Sequence, residues 1–336
     1  MKKRVKKILK RKLNKKLKKI RKHLCLPPKP PPPPPPVECD VLAYVSNLFS
    51  DTVSVIDTTT NTVIATIPVG GGPYAVAITP NGTRVYVTAL GSNYVSVIDT
   101  ATNTVIATIP VGEAPSGVAI TPDGTRAYVT NQYSSTVSVI DTETNTVIAT
   151  IPVGGGPRLI AITPDGTRAY VTNNGGNTVT VIDTATNTVI ATIPVGGSPM
   201  GIAITPDGTR AYVTNNLTQT VTVIDTATNT VISTIPVGSN PRYVAITPDG
   251  SRAYVANYVD DTVSVIDTTT NTVIATIPVG SRPFSIAFTP DGTRAYVVNQ
   301  NGDTVSVIDT ATNTVIATIP VGFFPSYIAI GTVCQY

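Results

Sequence analysis

"VIDTATNTVIATIPVGG", residues 181–197, sets two β-branched runs on either side of a polar turn. The Asp of its V-I-D-T phrase recurs at Asp57, Asp99, Asp141, Asp183, Asp225, Asp267 and Asp309, every step being 42 residues. Seven such units fill the chain from about residue 42 to about residue 335 and leave no room for a second globular domain. A fixed period of this size marks a repeat architecture, in which each unit buries its apolar faces against its neighbours.

Within one unit the short β-branched runs and their turns predict four antiparallel strands, A to D, at residues 159–163, 169–173, 178–183 and 188–195. Strands A and B flank P-D-G-T-R, where Pro suits the second turn position and Gly the left-handed one. Strands C and D flank D-T-A-T-N-T, whose Asp and Asn are expected to bond nearby backbone groups. Each D strand carries a proline (Pro68, Pro110, Pro152, Pro194, Pro236, Pro278, Pro320), which has no donor for a ladder and belongs on an edge. Strand D is then outermost and strand A innermost. The chain starts at a B strand (Ala43 to Asn47) and ends at an A strand (Tyr327 to Ile330), a split that serves a closed ring by building one blade from both ends. The expected fold is all-β: a seven-bladed β-propeller of 42-residue, four-stranded repeats, its closing blade shared by the termini and preceded by a basic helical or disordered tail. Blades covered on both faces need continuous apolar strands, which accounts for a hydrophobic content of 41% without any membrane-spanning stretch.

The phrase A-Y-V-T-N (residues 127–131, 169–173 and 211–215) and the longer "PDGTRAYVTN...NTVTVIDTATNTVIATIPVG" resemble the YVTN family of β-propeller repeats, found in bacterial and archaeal surface-layer proteins. The resemblance runs over all seven units and implies the propeller fold. Related propellers include surface adhesion modules, lactonases, lyases and a DNA-binding periplasmic protein, so it implies several functions rather than one.

Charge divides the chain. Residues 2–29 hold fifteen Lys and Arg and no acid, whereas the part from Glu38 onward has nine Arg, no Lys and all twenty carboxylates, a formal −11. The expected organisation is a basic amphipathic tail (1–26), a polyproline linker (27–37) that acts as a spacer, and the propeller (38–336). Val5, Leu9, Leu13, Leu17, Ile20 and Leu24 would form one apolar stripe on a helix. Three uses of residues 2–24 stay open: a solvated solubilising tail, an anchor on an anionic membrane or cell-surface polymer, or, less favoured, contact with nucleic acid. The resemblance implies a cell-surface or extracellular location, but no uninterrupted apolar core of a secretory signal follows the charges, and the cytoplasm is the alternative.

The only histidine, His23, lies in the tail, so the ring offers no imidazole base, no Ser-His-Asp arrangement and no His-based metal site. V-G-G-G-P follows a strand without opening a helix and is not a phosphate loop. The repeated Asp residues read as turn formers. Asp260, Asp261 and Asp303 depart from the repeat but lack the ligand spacing of a calcium loop. No enzyme, cofactor or metal is therefore expected.

Aligned on one another, the seven copies keep their A–B and C–D turns and vary their D–A and B–C loops, which emerge together on one face. The residue after the loop proline runs Tyr74, Ser116, Arg158, Met200, Arg242, Phe284 and Ser326, at the start of strand A beside the central channel. The candidate ligand-binding residues are Tyr74, Tyr133, Arg158, Met200, Arg242, Tyr243, Arg282, Phe284, Phe323 and Phe324, because loops on a rigid scaffold carry function and aromatics and Arg anchor interfaces. Neutral drift is the bland alternative. The expected function is a non-enzymatic surface or interaction protein whose variable face binds a protein or an anionic glycan or polymer. The alternatives are a hydrolase or lyase at the channel mouth and nucleic-acid binding through the tail.

Three cysteines remain. Aligning the split blade on a complete one puts Cys39 opposite Asp123 and Cys334 opposite Gly124, both in the P-D-G turn that the closing blade lacks. A Cys39–Cys334 disulfide would replace that missing hairpin in an oxidising setting and leave Cys25 free; two unpaired thiols in a reducing one are the alternative.

Overall fold

A computed structural model describes residues 2–24 and 38–335. They belong to two compact units that divide at Val37 and Glu38. Cys25 and the polyproline stretch expected to act as a spacer lie outside the described residues.

The N-terminal unit contains one helix, Lys2–Leu24, so of the two expectations for the tail the helical one holds. Val5, Leu9, Leu13, Leu17 and Ile20 are exposed along it, joined by Ile8, which widens the stripe. Arg21, Lys22 and His23 in the last turn complement the helix dipole, whereas the first turn has no acidic residue to do so. Among the described residues no helix is long and apolar enough to cross a membrane.

The second unit is a seven-bladed propeller of four-stranded antiparallel sheets. Blade 4 is representative, with strand A at Pro157–Ile162, B at Arg168–Asn173, C at Thr178–Asp183 and D at Thr188–Pro194, hydrogen-bonded in that order. The B and C strands are buried along their centres, and strand D, which ends in the proline, is exposed at most positions. The Tyr of each B strand (Tyr44, Tyr86, Tyr128, Tyr170, Tyr212, Tyr254, Tyr296) is 0% exposed and packs between blades. Burial of such large side chains is the main favourable term holding the ring closed.

The turns explain themselves. The Gly of every P-D-G or P-N-G hairpin has φ between 70° and 75°, open to glycine at little cost. The Asp of the C–D turn accepts from the backbone three residues on, as Asp183 Oδ1 does from Thr186 N at 2.8 Å. The Asn of that turn departs from expectation. Its backbone is left-handed, with φ of 54° at Asn187, and its side chain reaches the preceding blade instead of local backbone: Tyr128 Oη donates to Asn187 Oδ1 at 2.8 Å.

One repeat position controls the inner ladder. In blade 4, Leu159 N donates to Thr172 Oγ1, and the A–B ladder skips from Pro157↔Asn173 to Ile160↔Val171. Blades 6 and 7 have Ala256 and Val298 there, and the ladder gains the pairs Tyr243↔Ala256 and Ser285↔Val298. A hydroxyl that captures the backbone N–H keeps one more pair out of the ladder; with an apolar side chain the interruption shortens to the single residue that follows the proline.

Blade 1 joins the ends of the chain, in the order Pro325–Gln335, Glu38–Asn47, Thr52–Asp57 and Thr62–Pro68. The first two strands run past the point where the other blades turn and pair Cys39 directly with Cys334. A disulfide links them, with a Cα–Cα separation of 4.0 Å. The bridge thus fastens an extended ladder, where a substitute for the P-D-G turn was expected.

Candidate functional site

The variable face is built on a constant backbone. Each B–C loop ends in a left-handed residue (Asp51, Asn93, Ser135, Asn177, Gln219, Asp261, Asp303), and so does each D–A loop just before its proline (Gly72, Ala114, Gly156, Ser198, Asn240, Arg282, Phe324). In five blades the side chain of the first accepts from the backbone N–H of the second: Asp51 from Gly72, Asn93 from Ala114, Asn177 from Ser198, Asp261 from Arg282 and Asp303 from Phe324, all at 2.7–3.0 Å. Asp260 likewise accepts from Ser239 N at 2.7 Å. The three irregular Asp residues therefore brace loops. Among the described residues no cluster of three His, Cys, Asp or Glu could hold a metal ion.

A second constraint is steric. A Cβ on Gly154 would lie 2.6 Å from Asn173 Cγ, and equivalents at Gly112, Gly196, Gly238, Gly280 and Gly322 meet the same Asn amide at 2.5–2.7 Å. Loop residues outside these braces are free to differ.

The expected site residues divide into a floor and a rim. Tyr74, Met200 and Phe284, read from sequence as ligand contacts, are buried, at 6%, 3% and 5% exposure. Tyr74 and Phe284 pack edge-to-face against Tyr327, with ring centroids 5.0 and 5.4 Å apart, and Tyr243 meets Tyr327 from the other side at 5.8 Å. Tyr74 also touches Phe284 across blade 1 at 5.9 Å. Rings from nonadjacent blades thus meet in the channel and form its floor. Sequence reasoning missed Tyr327, whose neighbour Ser326 occupies the position compared between blades. Burial first, then the neighbouring Tyr74, pushes the Tyr327 phenol well above its ordinary value, while Arg158 opposes the shift.

Above this floor stand the arginines. Arg242 lies over the Tyr258 ring at 4.6 Å and over Phe284 at 5.9 Å, and Arg282 lies over Tyr258 at 5.0 Å. Two cations thus share one ring, whose hydroxyl donates to Gln300 Oε1 at 3.0 Å. Burial lowers the Arg242 pKa, and Arg158 is close enough to lower it further. Arg158 and Arg242 each keep a buried Nε–H without a hydrogen-bond partner among the described residues.

The outer rim is apolar and exposed. Tyr133 and Phe323 stand out as expected, and Phe49, Leu217 and Val259, absent from the expected set, stand out with them. Phe324, half-buried, stacks on Phe49 at 4.5 Å, and Phe323 tilts against Phe49 at 5.9 Å. Phe49, Tyr133, Leu217 and Val259 all hold the second position of a B–C loop. That position, compared between copies, would have found them.

The opposite face repeats. Between blades it carries shallow clefts such as one of about 480 Å³ lined by Pro122, Asp123, Arg126, Asp165 and Gly166. Arg126 Nη1 spends its charge there on the Thr184 carbonyl of the next blade, at 2.7 Å.

Two family models match the chain. The one described as "Lactonase, 7-bladed beta-propeller" matches residues 142–273 and again 189–315, and the one described as "YNCE-like beta-propeller" matches residues 39–126. Among curated proteins nothing matches. Among solved structures the chain is similar to hydrazine synthase of Kuenenia stuttgartiensis, with a TM-score of 0.72 and 24% identity over 79% of this chain and 96% of that one. A functionally unknown protein from Desulfotomaculum acetoxidans gives a TM-score of 0.78 and 21% identity over 86% and 98%. A Bacteroides fragilis protein assigned as a candidate 6-phosphogluconolactonase gives 0.73 and 17% over 87% and 98%. At these identities the likeness speaks for the fold alone.

Proposed function

The chain belongs to the family of seven-bladed β-propellers that the lactonase-named model describes, and on that premise we propose that it is a non-enzymatic binding protein, carried on a basic anchoring helix and displayed at the cell surface. The observation that carries this reading is the rim: exposed Phe49, Tyr133, Leu217, Val259 and Phe323 project from loops whose backbones are held alike. Apolar and aromatic tips in solvent cost solubility and are the usual anchors of an interface. The partner is a protein or an anionic glycan or polymer, the latter favoured by Arg158, Arg242 and Arg282 on a ring that is otherwise acidic. The surface-layer resemblance and the Cys39–Cys334 bridge support an oxidising, external location.

Binding to protein and glycan arrays tests this. Wild type should bind a defined set of probes, and the triple substitution Phe49→Ser, Tyr133→Ser, Leu217→Ser should abolish that binding at unchanged melting temperature. Equal binding by both proteins would remove the rim from the function.

A second reading, a hydrolase or lyase at the channel mouth, draws on the lactonase-named model and the 6-phosphogluconolactonase neighbour. Turnover of 6-phosphogluconolactone or simpler lactones, lost on changing Arg158 or Arg242, would favour it over the binding reading.

A further inference from the structure

Between the rim and the floor stand two arginines whose ligand chemistry can be read more closely. Arg158 and Arg242 occupy the same position in blades 4 and 6, at the inner end of strand A. The neighbours that act on Arg242, after burial itself, are the phenols of Tyr74, Tyr258 and Tyr327 and the like charge of Arg158, with no carboxylate among them. Two half-buried guanidiniums therefore share a low-dielectric entrance, each with an unsatisfied Nε–H. Uncompensated, that arrangement is costly, because burial weakens the screening between like charges and leaves a donor unpaired. The aromatic faces beneath Arg242 offset part of the cost but accept no N–H from the fork that Nε and a terminal nitrogen make.

We infer that Arg158 and Arg242 form an oxyanion-binding centre at the entrance of the central channel, which takes the carboxylate of a small organic acid or of a terminal acidic sugar. An oxyanion removes both penalties at once, since it neutralises the pair and accepts from the planar forks. The packed rings of Tyr74, Phe284 and Tyr327 close the channel below, so the ligand enters end-on and a polymer cannot thread through. Tyr258, held by its bond to Gln300, supplies a flat wall beside the bound group. Arg282 lies over the same ring and contributes field rather than direct contact. The inference rests on the reading of the variable face as a binding face and names the chemistry of its centre.

Calorimetric titration of the full chain with sodium succinate and with sodium phosphate, against a sodium chloride control at equal ionic strength, tests it. Saturable binding at one site per chain is expected, with Arg158→Gln and Arg242→Gln each weakening it by about tenfold or more, the usual worth of a charge-assisted hydrogen bond. Neither variant should melt below wild type without ligand, because each removes a like-charge contact. Succinate binding more tightly than phosphate assigns the centre to carboxylates. The reverse order, with the same dependence on both arginines, keeps the oxyanion centre and overturns its assignment to carboxylates. As a check that needs no substitution, succinate should protect Arg158 and Arg242 from phenylglyoxal while Arg126 and Arg168 stay unprotected, read by peptide mass. No saturable heat with either anion, or binding indifferent to both substitutions, overturns the inference. If array binding persists and still depends on the rim residues in that event, the centre alone is wrong and the binding-face reading stands.

Discussion

Tyr44 Oη and Asn103 Oδ1 are both buried and neither has a hydrogen-bond partner among the described residues, although the equivalent pair closes at 2.6–3.0 Å in each of the other six positions around the ring. The same seam lacks a second contact. Arg84, Arg126, Arg168, Arg210, Arg252 and Arg294 each donate to a Thr carbonyl of the next blade, and their counterpart in blade 1 is the buried Leu42. Arg closes the P-D-G-T-R hairpin, and blade 1 has no such hairpin. The blade that the disulfide closes is thus the one with the weakest polar link to its neighbour.

This asymmetry predicts unequal costs for equal substitutions. Asn187→Gly keeps the left-handed backbone but leaves the buried Tyr128 hydroxyl only its longer bond to the Thr184 carbonyl, at 3.3 Å, and should destabilise by about 1 kcal/mol. Asn103→Gly removes no bond, and should change stability by less than about 0.5 kcal/mol. Urea unfolding of the two variants measures the difference; equal losses would show that the Tyr–Asn bond is not what distinguishes the seams.

The disulfide should carry much of the closure. Cys39→Ser with Cys334→Ser is expected to lower unfolding free energy by about 2–5 kcal/mol, because the bridge closes nearly the whole propeller chain. A reducing agent should lower the melting temperature of wild type and leave the double variant unaffected. Ready alkylation of both thiols in native, air-exposed protein would contradict the bridge.

Stability should fall at both ends of the pH scale. Burial, followed by the charge of Asp99, pushes the Tyr44 phenol up to about 12, while an unfolded tyrosine titrates near 10.0. A raised folded pKa means that its contribution is whole below pH 10.0 and is lost as pH rises toward about 12. The turn carboxylates behave in the opposite sense. Asp123 is lowered first by the Thr121 hydroxyl and Asp141 first by the Thr144 backbone N–H, so their contribution is whole above 3.8 and is lost as pH falls below it. Urea midpoints should therefore form a plateau across neutral pH with a shoulder on each side. Midpoints unchanged between pH 10 and 12 would refute the alkaline half.

The helix makes a separate prediction. Deleting residues 1–26 should leave the propeller's thermal transition intact, since no strand is touched, and should abolish salt-sensitive binding to vesicles of anionic lipid. Undiminished vesicle binding by the truncated chain would reject the anchor. Binding of the full chain to nucleic acid but not to vesicles would favour the alternative use of the same charges.

The sequence by itself determined the period, the four strands, the edge prolines, the split blade and the cysteine pair. These follow from local periodicity and from the arithmetic of aligning copies, and neither depends on where a side chain points. Only the tertiary structure decided which variable residues meet solvent. Tyr74, Arg158, Met200, Arg242 and Phe284 share one repeat position, yet three of them pack into the floor and two carry charge above it, because rings from nonadjacent blades meet in the channel. The reach of the C–D turn Asn to the Tyr of the preceding blade, 59 residues away along the chain in five of its six occurrences, was equally invisible to a reading of local turns. Nor could turn chemistry show that Asp261 and Asp303 brace neighbouring loops, since their partners lie 21 residues away. Contacts of this kind arise from how blades pack around an axis, and a repeat read one copy at a time does not contain that axis.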